Sequence, residues 1–451
     1  MNATPFNEGT PGDGVPNSVL VRDSRIQLYT TGGILLPLVP SPITPDGRLR
    51  GFGANQATHL QFDSSGSIVP YNPGYSFGGF TSSGGDGYFP QEFGQVTSDL
   101  ERDAVNLNAR YELTERLEAF FESTYYTAEA VEVIDSGDTN CCFATSGVSG
   151  QITFSNTYPL LSDQARATLA ANGITQFRLA RSLADLTNAG TFSDSRMRRG
   201  VLGLKGEFAL GSREFNWEAS ANLGRYESTF HRTQLDQQRF VNALNVVRDA
   251  NGSIVSSPTP VATLFYGTGT TPFPPVTDPN CVPLNLFGEG AASLQAIDYV
   301  TARTSATSTQ EQAVYNANIT GSPFNLWSGS VAMNIGYEHR KERAEFLPDE
   351  FQELALSRSV PIQTTRGEFS TDELFAEMLV PLVSPTRDLP LLKRLDVTAK
   401  GRYVDSEVNG GYTAYTVGLQ WRPFDMLELR GNKTRSLRAP AITELFTPAS
   451  E

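Results

Sequence analysis

No stretch of this sequence holds enough consecutive apolar residues to cross a membrane as a helix, which needs about 20. The richest run, "GGILLPLVP" at 32–40, is broken by prolines. Helical membrane proteins are thereby excluded. Barrels are not, because a barrel hides its apolar face in alternation while its polar lumen keeps mean hydropathy low, here −0.27. Cysteine and histidine are equally scarce, with three of each in 451 residues. Cys141, Cys142, Cys281, His59, His231 and His339 show no metal-ligand spacing, so neither a metal nor another cofactor is expected. A disulfide from Cys141 or Cys142 to Cys281 is open in an oxidising compartment, and spacing alone does not set the connectivity. Positive charge is also short. Against 49 acidic residues stand 35 Lys and Arg, a dispersed net −14 that argues against nucleic acid as a partner. The opening "MNATPFNEGTPGDG" has neither a basic start nor an apolar core, so no export signal is read. A protein working outside the cytoplasm would need more chain in front of it.

What the sequence does have is strict alternation, the mark of strands with one apolar and one polar face. Leu117, Ala119, Phe121 and Tyr125 oppose Glu118, Glu122 and Thr124. Trp217, Ala219, Ala221 and Leu223 oppose Asn216, Glu218, Ser220 and Asn222, and Tyr415, Val417, Leu419 and Trp421 oppose Thr416, Gly418, Gln420 and Arg422. Five hairpins are predicted, near 105–127, 199–227, 313–342, 372–404 and 415–437. Links within a pair are short. Between pairs they are mostly long, at 128–198, 228–312 and 343–371. Short turns at one end and long loops at the other indicate an outer-membrane barrel, whereas a soluble sandwich carries loops at both ends. The polar faces agree, since Glu118, Lys205, Glu218, Asp396, Lys400, Arg402 and Arg430 cannot share a dry core. Lipid is therefore the expected neighbour of Trp217, Ile335, Val397 and Leu419.

The long loops carry local signals. Residues 162–173 read as a helix capped by Ser162 and stopped at Asn172–Gly173. Phe240, Ala243, Leu244 and Val247 are spaced helically, and 60–74 reads as a small hairpin closing at Ser65–Gly66. "GYSFG" at 74–78 matches a nucleophile motif around Ser76, but loop lies on both sides where a strand and a helix are required. Around it, Tyr71, Tyr75, Phe77, Phe80, Tyr88 and Phe89 interleave with glycine. Such rings stack on a sugar or an aromatic chelate, or else pack on one another to hold the loop shut. Asp135 and Asp138 lack the spacing of a calcium loop.

Residues 430–446, "RGNKTRSLRAPAITELF", closely resemble the late-barrel motif of TonB-dependent outer-membrane receptors, with Leu437 where an aromatic is usual. Supporting stretches are "CVPLNLFGEGAASLQAIDYV" (281–300) and "FSTDELFAEMLVPL" (369–382). The resemblance implies an antiparallel transmembrane barrel of about 22 strands around a plug domain. Alternation finds about ten strands here, so the expectation is roughly half a barrel. On this reading residues 1–99 form an extracellular loop region with small hairpins and an early strand, 100–451 form the partial barrel, and no plug is present. It further implies active import of a siderophore, vitamin or oligosaccharide across the outer membrane of a Gram-negative bacterium. The partners are membrane lipid, a small ligand and a TonB-type protein reached through the plug, with no covalent chemistry. Continuing the alternation from Arg430 places Arg438 toward the lumen, as a contact for the plug. Similar sequences often carry cysteine after Ile254–Val255; this chain has Ser256 there, so the loop disulfide to Cys281 that the resemblance implies lacks its partner. The competing readings are a passive porin and a secreted hydrolase using Ser76.

Overall fold

A backbone ladder built strictly in chain order dominates the protein. The structure is a computed structural model that describes residues 2–5, 18–36, 60–76, 81–93, 95, 97–133, 143–145, 148–187, 190–259, 263–266, 269–272, 275–357, 360–387 and 389–447. Ten strands pair antiparallel, each with its sequence neighbour. They are β1 (Asp99–Thr114), β2 (Leu117–Val133), β3 (Gly190–Leu210), β4 (Arg213–Leu235), β5 (Thr301–Leu326), β6 (Gly329–Pro348), β7 (Thr365–Val383), β8 (Arg394–Ser406), β9 (Gly410–Phe424) and β10 (Leu427–Arg435). The sheet is not closed, and β1 and β10 form its edges. Among the described residues no helix is long and apolar enough to cross a membrane, which says nothing about strands.

Turn length separates the two ends. At one end Glu115–Arg116, Gly211–Ser212, Trp327–Ser328 and Asp425–Met426 close the hairpins, and only 384–393 is longer. Gly211 sits at φ +65°, a conformation that a residue with a Cβ adopts only under strain. At the other end the chain runs through 134–189, 236–300 and 349–364, with a short return at 407–409. The asymmetry read from the sequence is present.

Register then assigns the faces. Ala119, Leu204, Ala219, Ala317, Tyr337, Leu374 and Tyr403 stand directly opposite one another across seven strands. One residue along, the row reads Glu118, Lys205, Glu218, Asn318, Gly336, Phe375 and Arg402 on the other face. Ile335 and Leu419 on the first face are 44% and 47% exposed, and Trp217 and Val397 are only half-buried. No second layer of the described chain covers them. Removing one such side chain from water is worth about 1.5–3 kcal/mol, so a whole exposed face of them is stable only against lipid. The strands also outrun a bilayer: β4 spans 23 residues and β5 spans 26, against the roughly 9–11 needed to cross.

At the long-loop end the connections build a core of their own. Helices α1 (Asp163–Ala171), α2 (Gln237–Leu244) and α3 (Leu294–Val300) bury Leu169, Phe240, Leu244, Ala296 and Val300 together with Leu35, Phe62, Phe154, Phe177 and Phe287. The Ser162 hydroxyl accepts from Ala165 N–H and so caps α1, as the sequence indicates. Short strands Ile34–Leu36 and Gln176–Ala180 pair, joining the early chain to the first long loop. Arg181, fully buried, donates to Asp185 of that loop and to the Gly288 carbonyl of the second, 3.0 Å away. Hydrogen-bonded on this scale, a buried guanidinium holds loops together rather than destabilising them.

Two measurements check this architecture. Ile319→Arg puts a charge on the lipid face and costs about 2–4 kcal/mol, while Asn318→Arg on the other face, opposite Glu218, is tolerated; urea titration in bilayers reads the difference. Cys281 is free, and the Ser256 hydroxyl donates to its carbonyl at 3.3 Å. Ser256→Cys therefore forms a disulfide with Cys281 on oxidation, adding roughly 3 kcal/mol, seen as a rise in Tm abolished by reductant.

Candidate functional site on the inner face of the sheet

Alternation puts many of the strands' ionisable groups on the face opposite the apolar row, and their cross-strand neighbours pair them. Lys205 Nζ lies 3.1 Å from Glu118 Oε1, Lys400 Nζ 3.0 Å from Glu377 Oε2, and Arg422 2.6 Å from Glu428. Arg402 pairs with Glu373, and Arg340 lies 2.7 Å from Glu338. Singly, such half-exposed pairs contribute no more than about 1 kcal/mol. Together they define a face that water or polar protein must fill.

Onto this face folds the end of the chain. β10 stops at Arg435, so the strand alternation does not extend to Arg438. Pro440 has no N–H to offer a ladder and biases Ala439 away from helix. The chain then turns into α4 (Ile442–Phe446), which packs across β7. Arg438 donates bidentately to Glu444, at 3.0 and 2.7 Å, and Ala441 N–H donates to the same carboxylate at 2.7 Å. One carboxylate thus clasps the turn and caps the helix where partial positive charge accumulates. These bonds pull Glu444 down to about 2, with the Arg438 bond the largest cause, and raise Arg438. Phe446 lies over Gly367 of β7, where any Cβ would run into its ring. Cavities of about 470 and 440 Å³ flank the helix. Phe346, Val360 and Ile362 line one, and Arg199, Tyr226 and Glu342 the other.

The aromatic loop is divided. Tyr71 is buried and donates to the Gln27 carbonyl at 3.1 Å. Tyr88 is buried against Tyr29, ring centres 5.0 Å apart, in a small core with Ile34 and Leu36. Tyr75 is 66% exposed. Phe89 lies half-buried under the Arg25 guanidinium, 4.9 Å from its ring centre. Phe77 and Phe80 lie outside the described residues, as do His59, Cys141, Cys142, Asp135 and Asp138. Ser76 ends a two-residue strand, Tyr75–Ser76. His231 and His339 stand on the large sheet beside carboxylates, His339 Nδ1 2.9 Å from Asp372 and His231 Nε2 3.8 Å from Asp194. Among the described residues, no group of His, Cys, Asp or Glu is placed to hold a metal.

Residues 148–450, more than half of the chain, match the family described as TonB dependent receptor-like, beta-barrel. The chain belongs to the TonB-dependent receptor family. No curated protein matches it. Among solved structures, the siderophore receptor PiuA from Acinetobacter baumannii is 10% identical, with a TM-score of 0.26. That alignment covers 72% of this chain and 40% of PiuA, so the chain spans about two fifths of that protein. A likeness at that level adds nothing on ligand.

Family membership gives the two faces their surroundings. TonB-dependent receptors are outer-membrane barrels and are receptors and transporters rather than enzymes. The apolar face of this receptor meets lipid, and the charged face, with α4 lying on it, meets the lumen. The sequence motif contains both Arg438 and Glu444 but does not show that they pair. The six-residue spacing from Arg438 to Glu444, across Pro440, was the available signal.

Because the Glu444 pKa is depressed, the clasp is complete above the ordinary carboxylate range near 4.5 and opens as pH falls toward 2. Hydrogen exchange at 441–447 is expected to speed up across that window. Glu444→Gln speeds it several-fold at pH 7, and Gly367→Leu more, by displacing Phe446; unchanged exchange in both variants contradicts the docking.

Proposed function

We propose that the chain forms part of an active importer of a scarce small ligand, a siderophore, a vitamin or an oligosaccharide. In this reading the ligand binds at the long-loop end, and a plug domain in the lumen is moved by a TonB-type partner to open a path. The observation that supports it most is the family's barrel with its lumen face lined by paired charges. Such a face suits a polar domain that docks and shifts in water, since each exposed pair exchanges partners at little cost. Glu444 engages both terminal guanidinium nitrogens of Arg438, so a plug contact there would share that pair rather than meet a free cation.

Ligand recognition is assigned to the exposed part of the aromatic loop. Tyr75 is two-thirds exposed, and Phe89 lies under the Arg25 guanidinium, a ring and a cation side by side. Tyr71 and Tyr88, packed inside, support the loop from below. Phe77 and Phe80 belong to the same proposal from sequence alone.

In the complete receptor, Tyr75→Ala and Phe89→Ala weaken ligand binding by about 1–3 kcal/mol each if their rings stack on it, measured by titration with candidate ligands. Unchanged affinity in both rejects the assignment. Uptake that stops when the inner-membrane proton gradient is collapsed supports import. Uptake that continues, with rates set by solute size, means a passive porin.

A further inference from the structure

Toward the long loops the inner wall loses the charges that line it lower down. Directly opposite one another there stand Tyr126 of β2, Met197 of β3, Tyr226 of β4, Gln310 of β5, Ala344 of β6 and Gly367 of β7. Two residues further along, the row reads Ala128, Ser195, Ser228, Ser308, Phe346 and Thr365, and after it Ala130, Ser193, Phe230, Ala306 and Pro348. No member of these rows is charged. Between the first two, on the outer face of the same strands, stand Arg196, Glu227, Glu345 and Arg366. Inner-face charge resumes at the margins, with Arg199 and Glu342 below and Glu132 and Arg232 above.

Charged side chains are ordinary on a wall that meets only water, as the outer row shows, so solvent does not account for this band. Packing does not seal it either. Phe230 and Gln310 are exposed, and Tyr126, Tyr226 and Phe346 are only half-buried. What the band offers is hydroxyls, amides and rings. Tyr226 donates to Ser195 Oγ at 3.0 Å, and the Ser195 and Ser228 hydroxyls lie 2.9 Å apart. The side chains of Ser308, Gln310, Thr365 and Thr443 have no hydrogen-bond partner among the described residues. With Phe346 and Ile362 they line the cavity of about 470 Å³ between the wall and α4, a size that falls within the roughly 300–1,000 Å³ of small-ligand sites. Glu345, the charged group among its described lining residues, belongs to the outer face and lies 2.6 Å from Arg366.

We propose that this uncharged band is a subsite for a neutral oligosaccharide. Phe346 supplies a ring face on which the C–H side of a sugar stacks. Ser308, Gln310, Thr365 and Thr443 each bring a donor and an acceptor to its hydroxyls. Tyr226 stands beside Gln310 and Phe346 beside Ser308, so two aromatic residues flank the polar groups of β5. Their strands, β4 and β6, lie two strand spacings apart, roughly 10 Å. An anionic iron chelate brought here would lose its water without meeting a cation, since Arg199, below the band, lies 3.7 Å from Glu122. The missing charge thus selects among the ligand classes of the import reading, on which this proposal rests for the side from which the ligand arrives.

The intact receptor, purified in detergent, is applied to an array of neutral and uronate-bearing glycans that spans the common linkages, and the strongest binder is titrated by calorimetry. Binding to neutral members over uronate-bearing ones is expected. Phe346→Ala and Gln310→Glu each lower that affinity about tenfold, and Gln310→Ala lowers it less than Gln310→Glu. Arg196→Gln, on the outer face of β3, leaves it unchanged. Heat-modifiable migration on gels confirms that each variant is folded. Preference for uronates, no glycan bound, or affinity unmoved in both Phe346→Ala and Gln310→Glu overturns the proposal. So does binding of a ferric catecholate chelate or of cyanocobalamin that these two variants abolish. Binding is read without a proton gradient, so a receptor that keeps its sugar affinity yet passes the sugar passively loses the import reading alone.

Discussion

Inside a bilayer a backbone amide has no water to turn to, so every N–H and C=O at that depth must find a partner in the chain. The ladder meets that demand for the eight inner strands, β2 to β9, by pairing each with both of its sequence neighbours, and much else follows from it. A continuous ladder fixes register, register fixes which residues share a face, and the side-chain period of two then carries each face across seven strands. A slip of one residue between β4 and β5 would turn Trp217 and Ile319 apart and set Glu218 against a hydrocarbon neighbour. The hairpin turns, two residues long at four of five positions, make such a slip expensive.

The lumen face shows what the same rule does to charge. Its cations and carboxylates are not spread to avoid one another but stand opposite across strands, as in Glu118 with Lys205 and Glu377 with Lys400. α4 adds a different kind of contact to that face. It is held by a clasp within its own segment, Arg438 to Glu444, and by an aromatic ring seated on a glycine. The late-barrel motif is thus a small structural unit whose arginine, glutamate and phenylalanine each have a mechanical part.

Most of the barrel was legible in the sequence because lipid leaves a periodic trace. Where Leu117, Trp217, Val397 or Leu419 alternates with a polar neighbour, the strand, its faces and its hairpin partner could all be read. The trace faded above the membrane. β4 continues to Leu235, but from Arg225 onward both of its faces are polar, so the predicted hairpin ended near 227. The loop core was harder to read, since its strands are three to five residues long and their partners lie far apart, Ile34–Leu36 against Gln176–Ala180 for instance. Tyr71 and Tyr88 illustrate the limit. Glycine-spaced aromatics look alike whether they face a ligand or one another, and only the burial supplied by Tyr29 and Ala180 distinguishes these two. Arg438 shows the converse, for a strand that ends three residues early removes the parity on which its orientation depended.

The buried Arg181, bonded at once to Asp185 and to the Gly288 carbonyl, has a consequence for how such receptors diversify. Two long connections and the early segment 28–36 share one apolar interior, so none of the three can drift in length or composition by itself. Recombination that transplants a single connection from a cousin would leave a guanidinium stranded in oil. New specificity would have to arrive by exchange of the whole trio as a cassette, or by point changes at its wetted rim.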